Sequence, residues 1–196
     1  MTAVEIEVKF RVQNLPRLEE LLLVHGFGQL TPRTFEHNTL FDTPERALRG
    51  QHSILRVRRY GDRWVITHKA VLGGGTSDEH YKHRAETETE VADGEAMASI
   101  FTQLGYSPSF VYEKWRTEYA DATGHCVIDE TPIGLFAELE GPESWIDAVA
   151  EQLGLAEKDL MTASYGRLFD DWCKQTGSTA QNLTFAEIGP LEAKSE

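Results

Sequence analysis

The chain has 196 residues, 40 % of them hydrophobic and 26 % charged, which is too apolar for a disordered chain and long enough to bury one real core. Nineteen Lys and Arg against 32 Asp and Glu leave a net charge of −13, which excludes non-specific nucleic-acid binding by a basic surface. No run approaches the roughly 18 apolar residues of a membrane span. The opening MTAVEIEVKF sets glutamates where a signal peptide carries basic and then apolar residues, so a soluble cytoplasmic protein is expected.

Alternation of apolar and polar residues predicts a first strand over Val4–Val12. Asn14 then caps a helix with Pro16 in its first turn and Leu18, Leu21 and Leu22 on one face, stopped at Gly26. Strands follow over His37–Asp42, Ser53–Tyr60 and Arg63–Ala70. The segment Leu72–His80, with three consecutive glycines, reads as a flexible loop and lacks the pattern of a P-loop. After a strand over Arg84–Val91, Asp93 caps a helix carrying Met97, Ile100, Phe101 and Leu104, ended by Gly105. Strands over Tyr112–Tyr119, His125–Asp129 and Leu135–Glu140 come next, then a helix from Glu143 to Leu153. An apolar-periodic piece from Leu160 to Cys173 presents Leu168, Phe169 and Trp172 to the body. Residues 176–196 show no sustained period and form an ordered edge element or a frayed tail after a domain spanning 1–175.

A shift of 79 positions lays Val12 on Val91, Asn14 on Asp93, Leu18 on Met97, Gly26 on Gly105 and Phe27 on Tyr106, which suggests a pseudo-repeat inside one fold. Cys126 and Cys173 have no metal-type spacing and read as reduced thiols. The seven histidines make no HExxH, and the four tryptophans read as packing residues.

Strand geometry assigns the charges to faces, since i, i+2 and i+4 point the same way. Glu5, Glu7 and Lys9 share a face opposite Ile6, Val8 and Phe10. Arg56 pairs with Arg58, and Lys69 follows Thr67. Arg84, Glu86, Glu88 and Glu90 form a row, as do Lys114, Arg116 and Glu118, and Glu138 with Glu140. A solvated outer face of an ordinary sheet explains any one strand. For the whole set, a closed barrel with polar faces inward and apolar faces under helices is the alternative. Such an interior needs counter-charge, because like charges ~4 Å apart repel by about 4 kcal/mol at an effective dielectric of 20. A divalent cation satisfies the carboxylates and phosphate oxygens satisfy the Arg and Lys, so a metal-bound polyphosphate answers both demands.

Taken together, Glu5-Ile6-Glu7-Val8-Lys9 (ExExK), Asn38-Thr39-Leu40-Phe41-Asp42-Thr43-Pro44 (N-x-YFDTP, with Leu40 for the aromatic), Leu55-Arg56-Val57-Arg58, Thr67-His68-Lys69, Arg84 through Val91, Lys114-Trp115-Arg116, Phe136 through Glu140 and Ser164-Tyr165 resemble the CYTH superfamily, also called triphosphate tunnel metalloenzymes. The resemblance covers about Val4 to Phe169. It implies an α+β fold: an eight-stranded antiparallel closed β-barrel forming a tunnel, with helices packed outside. It implies a small-molecule triphosphate substrate and Mg²⁺ or Mn²⁺. From charge and hydropathy no nucleic-acid or membrane partner is expected, and the sequence leaves monomer or homodimer open. Carried over by position, Lys9, Arg56, Arg58, Lys69, Lys114 and Arg116 hold phosphate, and Glu5, Glu7, Asp129, Glu138 and Glu140 hold metal. Lys9, Arg56, Arg58, Lys69, Glu86 and Glu88 form the catalytic set, with Glu86, Glu88 or Glu90 serving a second cation or the attacking water and Arg84 a structural partner. Arg167 is the base near the position where some members supply another lysine. Hydrolysis of a terminal phosphoanhydride is the expected reaction. Class IV adenylate cyclase chemistry on ATP and a non-catalytic polyphosphate or nucleotide module are the alternatives.

Overall fold

The structure, a computed structural model, describes residues 3–71 and 80–189. The order is β1 (Ala3–Arg11), α1 (Leu15–Val24), β2 (Gly28–Asp42), α2 (Ala47–Gly50), β3 (Ile54–Tyr60), β4 (Arg63–Val71), β5 (Lys82–Val91), α3 (Gly94–Gln103), β6 (Ser107–Ala120), β7 (His125–Thr131), β8 (Gly134–Glu140), α4 (Glu143–Gln152), β9 (Leu160–Met161), α5 (Tyr165–Thr176) and α6 (Phe185–Ile188). All strand pairs are antiparallel in the order β5-β4-β3-β2-β6-β7-β8-β1, and β1 returns to β5 through Ala3↔Glu86 to Glu7↔Lys82. That seam closes an eight-stranded barrel, as expected. The two-residue β9 pairs with β1 beyond the seam, at Lys9 and Phe10.

The apolar faces point outward. Val8, Phe10, Ile128, Ala137 and Leu139 pack under Leu18 and Leu22 of α1 and Ile146 and Val149 of α4. A second cluster joins Tyr112 and Phe136 to Tyr165, Leu168 and Phe169 of α5. Both early helices begin as their caps demand. The Asn14 side chain accepts from Arg17 N at 3.0 Å, and Asp93 accepts from Ala96 N at 2.9 Å.

The repeat is structural. β1, α1 and β2 begin at residues 3, 15 and 28, and β5, α3 and β6 begin at 82, 94 and 107, each 79 later. The β3–β4 hairpin begins at 54 and 63, and the β7–β8 hairpin at 125 and 134, each 71 later. Of the difference of eight residues, seven fall in the connection between β2 and β3, which contains α2, and one in β2 itself. Shifting by 79 turns the pair Ala3↔Glu86 into Lys82↔Glu7, so the two halves meet across the seam as quasi-equivalent partners.

Several boundaries differ from expectation. β2 starts at Gly28 rather than His37, because its first half is irregular: pairing with β6 shifts register between Gln29 and Thr34, around Pro32, which has no N–H to give a ladder. β6 likewise starts at Ser107 through Pro108. β5 starts two residues early, at Lys82. The piece from Leu160 divides into β9 and α5, and Ser164 caps the helix. The stretch 182–184 lies along β6, with Leu183 N donating to Val111 O at 3.0 Å and Glu113 N to Leu183 O at 2.9 Å. The glycine-rich segment 72–79 and the end of the tail, 190–196, lie outside the described residues.

Candidate active site

The inner faces of the strands surround one cavity of about 1310 Å³. β1 contributes Glu5, Glu7 and Lys9; β3 gives Arg56 and Arg58; β4 gives Lys69; β6 gives Lys114 and Arg116; β8 gives Glu138 and Glu140. β5 adds Lys82, Arg84, Glu86 and Glu88. The alternation that puts Val8 and Phe10 into the outer core puts Glu7 and Lys9 inside.

Inside, charges pair across strands. Lys69 Nζ sits 2.6 Å from Glu5 Oε1 and 3.1 Å from Glu86 Oε2. Arg58 reaches Glu88 at 2.7 Å, and Thr67 donates to the same Glu88 oxygen at 2.9 Å. Arg56 donates to the Tyr112 hydroxyl at 3.0 Å and to Thr67 at 3.1 Å. Lys9 bonds Glu138, and Lys82 bonds Glu7. Burial pulls the Lys9 ammonium down to about 7, against the pull of Glu7 in the other direction. Glu7 is also buried, yet Lys82, Lys9 and Lys69 outweigh that burial and hold its carboxyl well below the usual range.

Asp129, grouped by resemblance with the metal ligands, sits beneath the cavity wall with no exposed surface. Its Oδ1 accepts from Arg116 Nε at 2.7 Å. Its Oδ2 accepts from Lys114 at 2.9 Å, from Arg116 Nη2 at 2.6 Å and from the Tyr165 hydroxyl at 2.6 Å. Lys9 and Lys114 also lie over the Tyr165 ring, 4.2 and 4.9 Å from its centre. Helix α5 thus reaches the buried charges through Tyr165, while Gly166, Arg167, Phe169 and Asp170 also line the cavity.

Glu140 differs from its neighbours, having no cation bonded to it among the described residues. Burial, together with the nearby charges of Glu5 and Glu7, pushes its carboxyl up to about 7. Glu86 is likewise raised by burial and by Glu5, although Lys69 opposes the shift. Glu88 is lowered, since Arg58 and its bond from Thr67 outweigh burial. Among the described residues no three acids, histidines or cysteines are already gathered as a metal cluster.

Other assignments fall elsewhere. Glu90 is outside the cavity, bonded to Arg63 at 3.1 Å with both side chains largely exposed. Arg84 faces the cavity and donates to the His52 carbonyl at 3.2 Å. Arg167 stands at the rim, bonded to Asp171 at 3.2 Å. Asp42 of the Phe-Asp-Thr-Pro segment accepts from Thr43, Leu48 and Arg49 N–H groups at 2.8 to 3.0 Å, so its role is to turn the chain out of β2 into α2. Sequence reasoning missed Lys82, Glu36 and the Tyr165 hydroxyl. For the first two the signal existed: the i, i+2 rows run Lys82-Arg84-Glu86 and Glu36-Asn38, beyond the expected strand ends.

The CYTH domain family matches residues 3–165. The chain belongs to the CYTH family. A candidate adenylate cyclase of Methanocaldococcus jannaschii is 29 % identical over 173 residues, covering 83 % of this chain and 96 % of that protein. The Pyrococcus horikoshii protein PH1012 is 27 % identical and superposes with a TM-score of 0.68, over 82 % of this chain and 96 % of its own. A Hippeastrum candidate adenylyl cyclase, which shows a dominant triphosphatase activity, shares the fold with a TM-score of 0.60 at 18 % identity, over 88 % of this chain and 96 % of its own.

Proposed function

We propose that this CYTH protein is a divalent-metal-dependent triphosphatase that hydrolyses a phosphoanhydride of inorganic or organic triphosphates. One observation carries the reading: Lys9, Arg56, Arg58, Lys69, Lys114 and Arg116, from four strands, converge on one cavity that also holds Glu5, Glu7, Glu138 and Glu140. Arg forks and Lys point charges suit phosphate oxygens, and their fixed positions stabilise charge developing on a leaving diphosphate. Asp129 holds Lys114 and Arg116 in place from behind.

The carboxylates fit a hard dication, because burial and the charges of Glu5 and Glu7 hold the Glu140 carboxyl up at about 7 and all three offer oxygen donors. Glu5, Glu7, Glu138 and Glu140 would hold Mg²⁺ or Mn²⁺, which when bound neutralises charge on the phosphate oxygens. Glu86, raised from its ordinary value by burial and by Glu5, is suited to take the proton of a water that attacks the terminal phosphorus. The bond to the bridging oxygen then breaks and its electrons leave with the diphosphate.

A second reading, cyclisation of ATP with loss of pyrophosphate, is favoured by the name of the Methanocaldococcus relative. Tripolyphosphate, thiamine triphosphate and ATP, each with Mg²⁺ or Mn²⁺, separate the two. Free phosphate supports hydrolysis, cAMP with pyrophosphate supports the cyclase, and binding without product points to a capture module. Lys9→Met keeps the buried stem and removes the charge, so kcat/KM should fall about 100-fold while the fold survives. Unchanged turnover in that variant overturns the phosphate assignment.

A further inference from the structure

Glu36 lies on the inner side of β2, fully buried, and no step of the proposed reaction uses it. Its Oε1 accepts from Asn38 Nδ2 at 2.9 Å and lies 3.4 Å from Lys114 Nζ. Its Oε2 lies 3.8 Å from Arg58 Nη1 and 3.9 Å from Arg116 Nε, and makes no hydrogen bond. A buried carboxylate oxygen without a donor is costly unless surrounding charge compensates. Here the compensation comes from cations alone. Burial would raise this carboxyl, yet Lys114, Arg116, Arg58 and Arg56 hold it down at about 2, so it stays ionised.

The contrast with Asp129 is informative. Asp129 consumes donors of Lys114 and Arg116 at 2.6 to 2.9 Å. Glu36 faces Lys114 at 3.4 Å and Arg58 and Arg116 at 3.8 to 3.9 Å, accepts its hydrogen bond from Asn38 instead, and all three cations line the cavity. We propose that Glu36 is a positioning residue: a fixed internal anion that draws Arg58, Lys114 and Arg116 toward one point on the β2 wall and weakens their grip on a polyphosphate enough for product to leave. The inference rests on the phosphate-binding reading of the same cavity.

The test uses the full-length protein and the conservative variants Glu36→Gln and Glu36→Asp. Calorimetry with tripolyphosphate in the absence of metal reads affinity, and steady-state kinetics with metal reads kcat and KM. Removing the internal anion in Glu36→Gln should tighten tripolyphosphate binding about tenfold and lower kcat about tenfold, with KM falling as well. Glu36→Asp keeps the charge but draws it back by one methylene, so affinity should stay within about threefold while kcat falls. A merely structural role would lower stability without tightening the ligand. Affinity and kcat within twofold of the parent in both variants overturns the inference. If Glu36→Gln fails to fold, Glu36→Asp decides alone, and a parent-like kcat there overturns it. Failure of the parent itself to bind tripolyphosphate overturns the phosphate-binding reading, and this inference with it.

Discussion

Two buried groups in the cavity titrate near neutrality and ask for opposite ligands. Lys9, pulled down to about 7 by burial, regains its proton when an anion arrives. Glu140, pushed up to about 7 by burial and by Glu5 and Glu7, loses its proton when a dication arrives. Tripolyphosphate alone at pH 7 should therefore bind with proton uptake, and Mg²⁺ alone with proton release. Calorimetry in two buffers of different ionisation enthalpy measures both. Lys9→Met should abolish the uptake and Glu140→Gln the release, and binding heats independent of buffer would remove both assignments. The stability signs follow. The folded chain holds fewer protons at Lys9 between about 7 and its ordinary 10.5, so stability rises with pH across that window. It holds more at Glu140 between the ordinary 4.5 and about 7, so that contribution is present below 4.5 and lost as pH rises through about 7.

Among the elements, the stretch after α5 lines the cavity only at Ala180 and Gln181 among the described residues, and Leu183 ties it to the site from behind. Leu183 has no exposed surface and joins β6 on either side of Tyr112, whose hydroxyl accepts from Arg56. Leu183→Ala should cost about 2–5 kcal/mol through the cavity it leaves, read as a lower midpoint in urea with unchanged slope; a change below about 0.5 kcal/mol would mean that the segment is not docked. This contact was invisible in the sequence, since Asn182-Leu183-Thr184 carries one apolar residue and no period. The barrel itself was readable because its strands alternate strictly: Ile6, Val8 and Phe10 against Glu5, Glu7 and Lys9 state both faces of β1. β2 was read as less than half its length because Gly28, Pro32 and the register shifts beside it break the alternation. Lys82 and Glu36 were lost with the strand ends to which they belong. Asp129 was visible as an inward acid, but its four donors come from β6 and α5, and no local pattern in β7 announces them.

Across the whole molecule the repeat arranges the charge. The β3–β4 hairpin and the β7–β8 hairpin are related by a shift of 71, which lays Arg58 on Asp129 and Lys69 on Glu140. One copy is basic where the other is acidic, and the sheet order sets them on opposite sides of β2 and β6. The result is a cavity with a cationic wall in a chain whose net charge is −13. Part of that wall is repaid by Glu5, Glu7, Glu88 and Glu138 through the internal pairs described above. A polyphosphate that takes those cations bridges β1, β3, β4 and β6, which the seam between β1 and β5 otherwise closes through five residue pairs. Ligand binding should therefore read out as global stability. At a concentration of about 100 times Kd, tripolyphosphate should add about 2.7 kcal/mol, or roughly 5–11 °C in Tm for a chain of this size. Raising salt from about 50 to 500 mM should shrink the shift, since part of the attraction is felt through solvent at the cavity mouth. A Tm unmoved by tripolyphosphate at low salt would mean that the internal pairs do not yield to an outside anion, and the cavity would then be a structural charge network only.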